Sequence, residues 1–165
     1  MNKLEDVFKL SLLENFKIFS NGNKDDEFSV INLIVVDDEY LIRNSIKRVI
    51  FNQLKLIGKN VECKIIEACD GIECILALYV ANTKNIRING IISDETMTFI
   101  SGSYCSKIIE HIVNDEKFAK VPMFISSALC NINIISKYSS IVQKVYSKPL
   151  DKTSALDIFK QIGLI

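Results

Sequence analysis

Acidic, hydroxyl and amino side chains stand directly after short apolar runs of this sequence. Asp37-Asp38 follow INLIVV and Ser93-Asp94-Glu95 follow INGII. Ser126-Ser127 close PMFISS, and Lys148-Pro149 follow VQKVYS. Brought together, three carboxylates repel one another and require a cation. Hard oxygen donors suit Mg²⁺, which is usually held by one or two carboxylates together with phosphate oxygens and water. A carboxylate can also be a nucleophile that forms an aspartyl-phosphate. Phosphoryl transfer asks mainly for in-line positioning and positive charge on the equatorial oxygens. Mg²⁺ and Lys148 would supply that charge, and the Ser127 hydroxyl could donate to a phosphoryl oxygen. Singly, each residue has an ordinary explanation: Asp37 or Asp38 as a helix cap, Asp94 opening a turn, Ser127 a core hydroxyl, Lys148 an exposed charge. The chemistry depends on their meeting, and therefore on the elements that carry them.

Those elements alternate. Candidate strands are residues 31–36, 61–66, 88–92, 122–126 and 142–147. Between them lie helical stripes: Ile42, Ile46, Val49 and Ile50; then Ile72, Ile75, Leu76 and Tyr79; then Cys105, Ile108, Ile109 and Ile112. Residues 131–139 make a short, weak helical segment. A last helix is expected from Thr153 to Ile162, with Ala155, Phe159 and Ile162 on one side. Strands alternating with helices indicate an α/β fold, a parallel sheet covered on both faces. The first, third and fourth strands are continuously apolar, as strands buried on both faces are. The second alternates and the fifth is short and mixed, so both belong at edges. That texture predicts a flavodoxin-like, doubly wound five-stranded sheet of order 2-1-3-4-5, with ligands bound beyond the strands' carboxyl ends. Strands 1, 3, 4 and 5 are then consecutive neighbours about 5 Å apart, and their terminal groups form one cluster.

Residues 1–28 read as an extension: an extra N-terminal amphipathic helix (Leu4, Val7, Phe8, Leu12, Phe16, Phe19) and a polar linker, NGNKDDE. Residues 29–165 form the main domain. The 165 residues carry 20 Lys plus Arg and 20 Asp plus Glu. Zero net charge gives no electrostatic case for direct nucleic-acid binding. No apolar run is long enough for a membrane span, and the acidic N-terminus does not suit a secretory signal. Five cysteines without a C-x-x-C pair, beside one histidine, read as free thiols of a reducing cytosol.

With these residues in order, the chain from about residue 30 onward resembles the receiver domains of response regulators and hybrid histidine kinases. LIVVDDEYLIRNSIKRVI is similar to the family's first strand, acidic pair and first helix. IIEACDGIECI resembles its second strand and the turn into the next helix. SDETMTFISG resembles the phosphoacceptor segment, PMFISSA the fourth strand and switch dipeptide, and SKPL the Lys-Pro motif. The resemblance implies that Asp94 accepts the phosphoryl group. It implies that Asp37, Asp38, Asp94 and the Thr96 backbone carbonyl hold Mg²⁺. Ser127 is then the switch hydroxyl, Lys148 contacts the phosphoryl group, and the Lys148–Pro149 bond is cis. A histidine kinase or histidine phosphotransfer protein would be the donor. The loop at 127–134 would move inward, and an output partner would read the surface made by 131–139, the last strand and the last helix. Such a domain is a signalling module rather than an enzyme acting on a substrate. It would be cytosolic, as a stand-alone regulator or as the terminal receiver of a hybrid kinase, without an output domain of its own. Thr96 and Leu129 lie where the family tunes phosphoryl lifetime.

Three departures stand out. Thr98 replaces the usual proline. Val145 stands where an aromatic switch residue is common, and the adjacent Tyr146 should face the other way. The Asp38-to-Asp94 spacing is long, with the surplus expected as loop in 52–60 and 80–89. Glu95 is a rival acceptor, but the spacing to Met97 and Gly102 favours Asp94. Two other readings compete. One is an interaction module that keeps the fold without phosphorylation. The other is a Mg²⁺-dependent aspartyl-phosphate phosphatase suggested by DETMT, whose nucleophile should end the first strand rather than the third.

Overall fold

The computed structural model describes residues 29–58, 60–114, 118–128 and 138–165. The expected N-terminal helix, Leu129, Cys130 and nearly all of the weak segment at 131–139 lie outside them. The elements are β1 (Ser29–Val36), α1 (Tyr40–Ile57), β2 (Val61–Ala68), α2 (Gly71–Thr83), β3 (Gly90–Asp94), α3 (Gly102–Asn114), β4 (Met123–Ser127), β5 (Val142–Ser147) and α4 (Lys152–Gln161). All neighbouring strands are parallel, in the order β2-β1-β3-β4-β5. This is the predicted flavodoxin-like sheet. Every residue of β3 and β4 is buried, whereas β2 and β5 are mostly half-buried or exposed. Strand texture therefore reported strand position, because only inner strands meet helices on both faces.

Two cores flank the sheet. On one face α1 and α4 bring Ile46, Ile50, Ala155, Ile158 and Phe159 onto Leu33, Val35, Ile92 and Phe124. On the other, α2 and α3 bring Cys74, Ala77, Leu78, Ala81, Cys105 and Ile109 onto Ile34, Ile66, Ile91 and Ile125. Strand alternation sends Val145 to the second core and Tyr146 to the first. Tyr146 is packed beside Phe124, and its hydroxyl donates to Asp157 Oδ2 at 2.8 Å. Burial and the Asp157 charge hold its phenol in the protonated form. Among the thiols, burial pushes Cys63 up to about 12, so it stays protonated and unreactive.

Local signals explain the helix ends. Asp70 caps α2, accepting from the amides of Ile72 and Glu73 at 2.7 and 3.0 Å. Asp151 caps α4 by accepting from Ser154 N at 2.8 Å. The α1 helix ends at Gly58, whose φ of 66° is the left-handed conformation that glycine adopts freely.

Two expectations need correction. The face of α2 that enters the core is Cys74, Ala77, Leu78 and Ala81; Ile72 is 47% exposed and Tyr79 is exposed too. This helix is apolar nearly all round, so its largest side chains did not mark the buried face. Small residues do, because they let the helix lie close to the sheet. The surplus at 52–60 is mostly helix rather than loop: Leu54 and Ile57 continue the Ile46–Ile50 stripe, so α1 runs on to residue 57.

The corrected face of α2 is testable by urea unfolding. Ala77→Leu should overpack the core and destabilise by about 1–3 kcal/mol, while Ile72→Ala should change stability by no more than about 0.5 kcal/mol.

Candidate functional site

Strand register builds the site. Val36 pairs with Ser93, Asp94 with Ser126, and Ser127 with Ser147. Asp37, Asp94 and Ser126 therefore stand level at the carboxyl ends of adjacent strands, with Ser127 and Lys148 just beyond. The backbone ties this rim together: Asp37 N donates to Ala68 O at 3.2 Å, Glu95 N to Ser126 O at 3.2 Å and Lys148 N to Ser127 O at 3.0 Å. The Lys148–Pro149 bond is cis.

The side chains of Asp37, Asp38, Asp94 and Lys148 converge. Carboxylate oxygens of Asp37, Asp38 and Asp94 lie within 4.8 Å of one another. Asp37 and Asp94 are buried and Asp38 is exposed. Lys148 Nζ sits between the two buried acids, 2.8 Å from Asp37 Oδ2 and 2.9 Å from Asp94 Oδ2. Burial by itself would push this ammonium down. Hydrogen bonds to Asp37 and Asp94, with their charges, outweigh burial and hold Lys148 above its ordinary value. Ser127 is buried at the end of β4. Thr96 is exposed in the β3–α3 loop, two residues past Asp94.

Neighbouring residues hold the acids in place. Asp37 Oδ1 accepts from Glu39 N at 2.9 Å, which closes the turn before α1. The Arg43 guanidinium donates to the Asp37 carbonyl at 2.7 Å and to Glu67 Oε2 at 3.2 Å, and lies over the Tyr40 ring. At the other acid, Gly102 is a packing requirement: a Cβ there would collide with the Asp94 carbonyl oxygen. Gly102 N also donates to Glu95 O at 3.1 Å. Glu95 itself turns to the start of α3, where its carboxylate accepts from Ser103 N at 3.0 Å and Ser103 Oγ at 2.9 Å. A carboxylate at a helix N-terminus is favoured by the unpaired amides and the dipole. The rival acceptor thus has a structural task away from the cluster.

The contacts of two residues beside the cluster were not read from the sequence. Arg43 gave no local signal, since its partners lie 6 and 24 positions away. Thr98 was visible only as an unusual residue in the loop, yet its Oγ1 donates to Asp38 Oδ2 at 3.0 Å.

The donor set suits a small hard cation: three carboxylates, two buried and one open to water. A Zn²⁺-type site would favour sulfur or nitrogen donors, and the cluster offers neither.

No family model matches the sequence, and no curated protein does. Solved structures do. A two-component response regulator from Cytophaga hutchinsonii aligns with TM-score 0.69 at 18% identity, over 81% of this chain and 97% of that one. One from Legionella pneumophila aligns with TM-score 0.61 at 19% identity, over 82% and 99%. The chemotaxis protein CheY4 of Vibrio cholerae aligns with TM-score 0.56 at 21% identity, over 81% and 99%. At these identities the likeness establishes the fold: this chain has the fold of response regulator receivers.

Lys148→Met should leave the buried Asp37 and Asp94 charges unmatched and destabilise the domain by about 2–3 kcal/mol at neutral pH. Because the folded-state pKa of Lys148 is raised, its contribution is complete below about pH 10.5, the ordinary lysine value, and fades as pH rises through the folded value. Denaturant titrations of wild type and variant should therefore converge in strong base and diverge at neutrality.

Proposed function

We propose that this chain is a phospho-accepting receiver domain of a two-component phosphorelay, with Asp94 as the acceptor. One observation carries the reading: the Lys148 ammonium lies within 3 Å of both buried acids, Asp37 and Asp94, while Asp38 completes a three-carboxylate cluster. Three clustered acids and a lysine serve no packing purpose, whereas an acyl-phosphate site needs each of them.

Asp37, Asp38, Asp94 and the backbone carbonyl of Thr96 would hold Mg²⁺, which when bound neutralises charge on the phosphoryl oxygens. The donor is a phosphohistidine of a histidine kinase or a histidine phosphotransfer protein. An Asp94 carboxylate oxygen attacks the phosphorus in line. As the P–O bond forms the P–N bond breaks, and its electron pair stays on the imidazole, which leaves neutral when its other nitrogen carries a proton. Lys148 exchanges part of its contact with Asp94 for a phosphoryl oxygen, so its positive charge follows the transferred group. Ser127 donates its hydroxyl to another phosphoryl oxygen. That pull on the chain after β4 biases a surface that includes β5 and α4, which an output partner reads. The domain acts on itself only, taking up the phosphoryl group and losing it to water. Its place is the cytosolic compartment, where such donors work. Tyr146, locked by Phe124 and Asp157 on the far face of β5, is not the moving part of this switch.

Incubation with a small acyl-phosphate donor and Mg²⁺ should add one phosphoryl group to the intact mass of the wild type. Asp94→Asn should gain none, and a chelator should suppress the gain in the wild type. Equal gain in both proteins would remove Asp94 from its role.

A further inference from the structure

Asp38 differs from its two partners. It is exposed, and the Lys148 contacts go to the other two acids. Left to solvent, such a side chain samples several rotamers, and ordering it on cation binding is unfavourable. Its Oδ2 instead accepts a hydrogen bond from Thr98 Oγ1 at 3.0 Å, across 60 positions of sequence. Thr98 belongs to the loop that follows Asp94, so this bond ties the acidic pair after β1 to the loop after β3. A carboxylate oxygen has more than one acceptor position, so a donor on Oδ2 still leaves the group able to ligate a cation. Thr98 also stands where receivers usually carry proline. A proline stiffens a loop by fixing its own φ, but it has no side-chain donor.

We infer that Thr98 is a positioning residue for the cation site: its hydroxyl pre-orders Asp38 for the divalent ion and replaces proline's local stiffness with a tie between the two acidic segments. The inference rests on the receiver reading above and adds a residue to it.

The test is calorimetric titration of the full chain with Mg²⁺ alone, with thermal melting to verify folding. Thr98→Val keeps the shape and removes the hydroxyl; it should weaken Mg²⁺ binding about 3- to 10-fold, the scale of one newly mobile side chain. Thr98→Ser keeps the donor and should bind within about 2-fold of wild type. Thr98→Pro stiffens the loop without the donor and should resemble Thr98→Val. Asp38→Asn should weaken binding further, and adding Thr98→Val to it should cost little more, since the two act as one unit. Wild-type affinity in Thr98→Val, or full affinity in Thr98→Pro, would overturn the inference while leaving the receiver reading intact. A folded wild type that takes up no Mg²⁺ would bring down both.

Discussion

A single lysine holds the arrangement together. Two carboxylates buried at neighbouring strand ends would repel each other strongly in a poorly solvated setting. Lys148 lies between them at hydrogen-bond distance from each. It can do so because it directly follows β5, which runs parallel to β4, and because Lys148 N is itself bonded to Ser127 O. The ammonium thus reaches the acids from the edge of the sheet, while the acids rise from its centre. Without that cation the sheet would gather negative charge with nothing to match it. With it, the two buried acids lie close together, and Asp38 beside them is open to solvent.

The scaffolding around the cluster serves the same end. Arg43 and the Glu39 amide hold the turn carrying Asp37 and Asp38, and Thr98 reaches that turn from the opposite loop. Gly102 admits the Asp94 carbonyl, and Glu95 caps α3. The same helix continues outward. Ser106 O accepts from Ser139 Oγ at 3.0 Å, and Glu110 accepts from Ser140 N at 2.9 Å. The helix that starts beside Asp94 is therefore hydrogen-bonded to the turn that precedes β5. The site and the edge of the sheet are thus joined through one helix.

Several side chains near the site have tasks that residue order alone does not show. Asp37 both pairs with Lys148 and fastens the Glu39 amide. Glu95, the rival to Asp94 in the sequence, is turned by the chain leaving β3 toward the α3 amides, where a carboxylate is well placed. Tyr146, beside Val145, was expected to face the other way. Strand alternation does send it to the α1–α4 face, and Asp157 anchors it there.

Much of this was legible from residue order. Burial on both faces forces continuous apolar runs, so β1, β3 and β4 identified themselves as inner strands and β2 and β5 as edges. That ordering placed Asp37, Asp38, Asp94, Ser127 and Lys148 at one end of the sheet, because strand-end position is a one-dimensional property. Which face of α2 meets the core was not legible: a helix apolar all round carries no orientation signal, and the choice fell to how closely small residues such as Ala77 and Ala81 can pack. Nor could residue order show Thr98 reaching Asp38, or Arg43 bridging Asp37 and Glu67. Those contacts join segments that meet only after the sheet has assembled, and a hydrogen bond depends on distances of a fraction of an ångström that no pattern of residue types encodes.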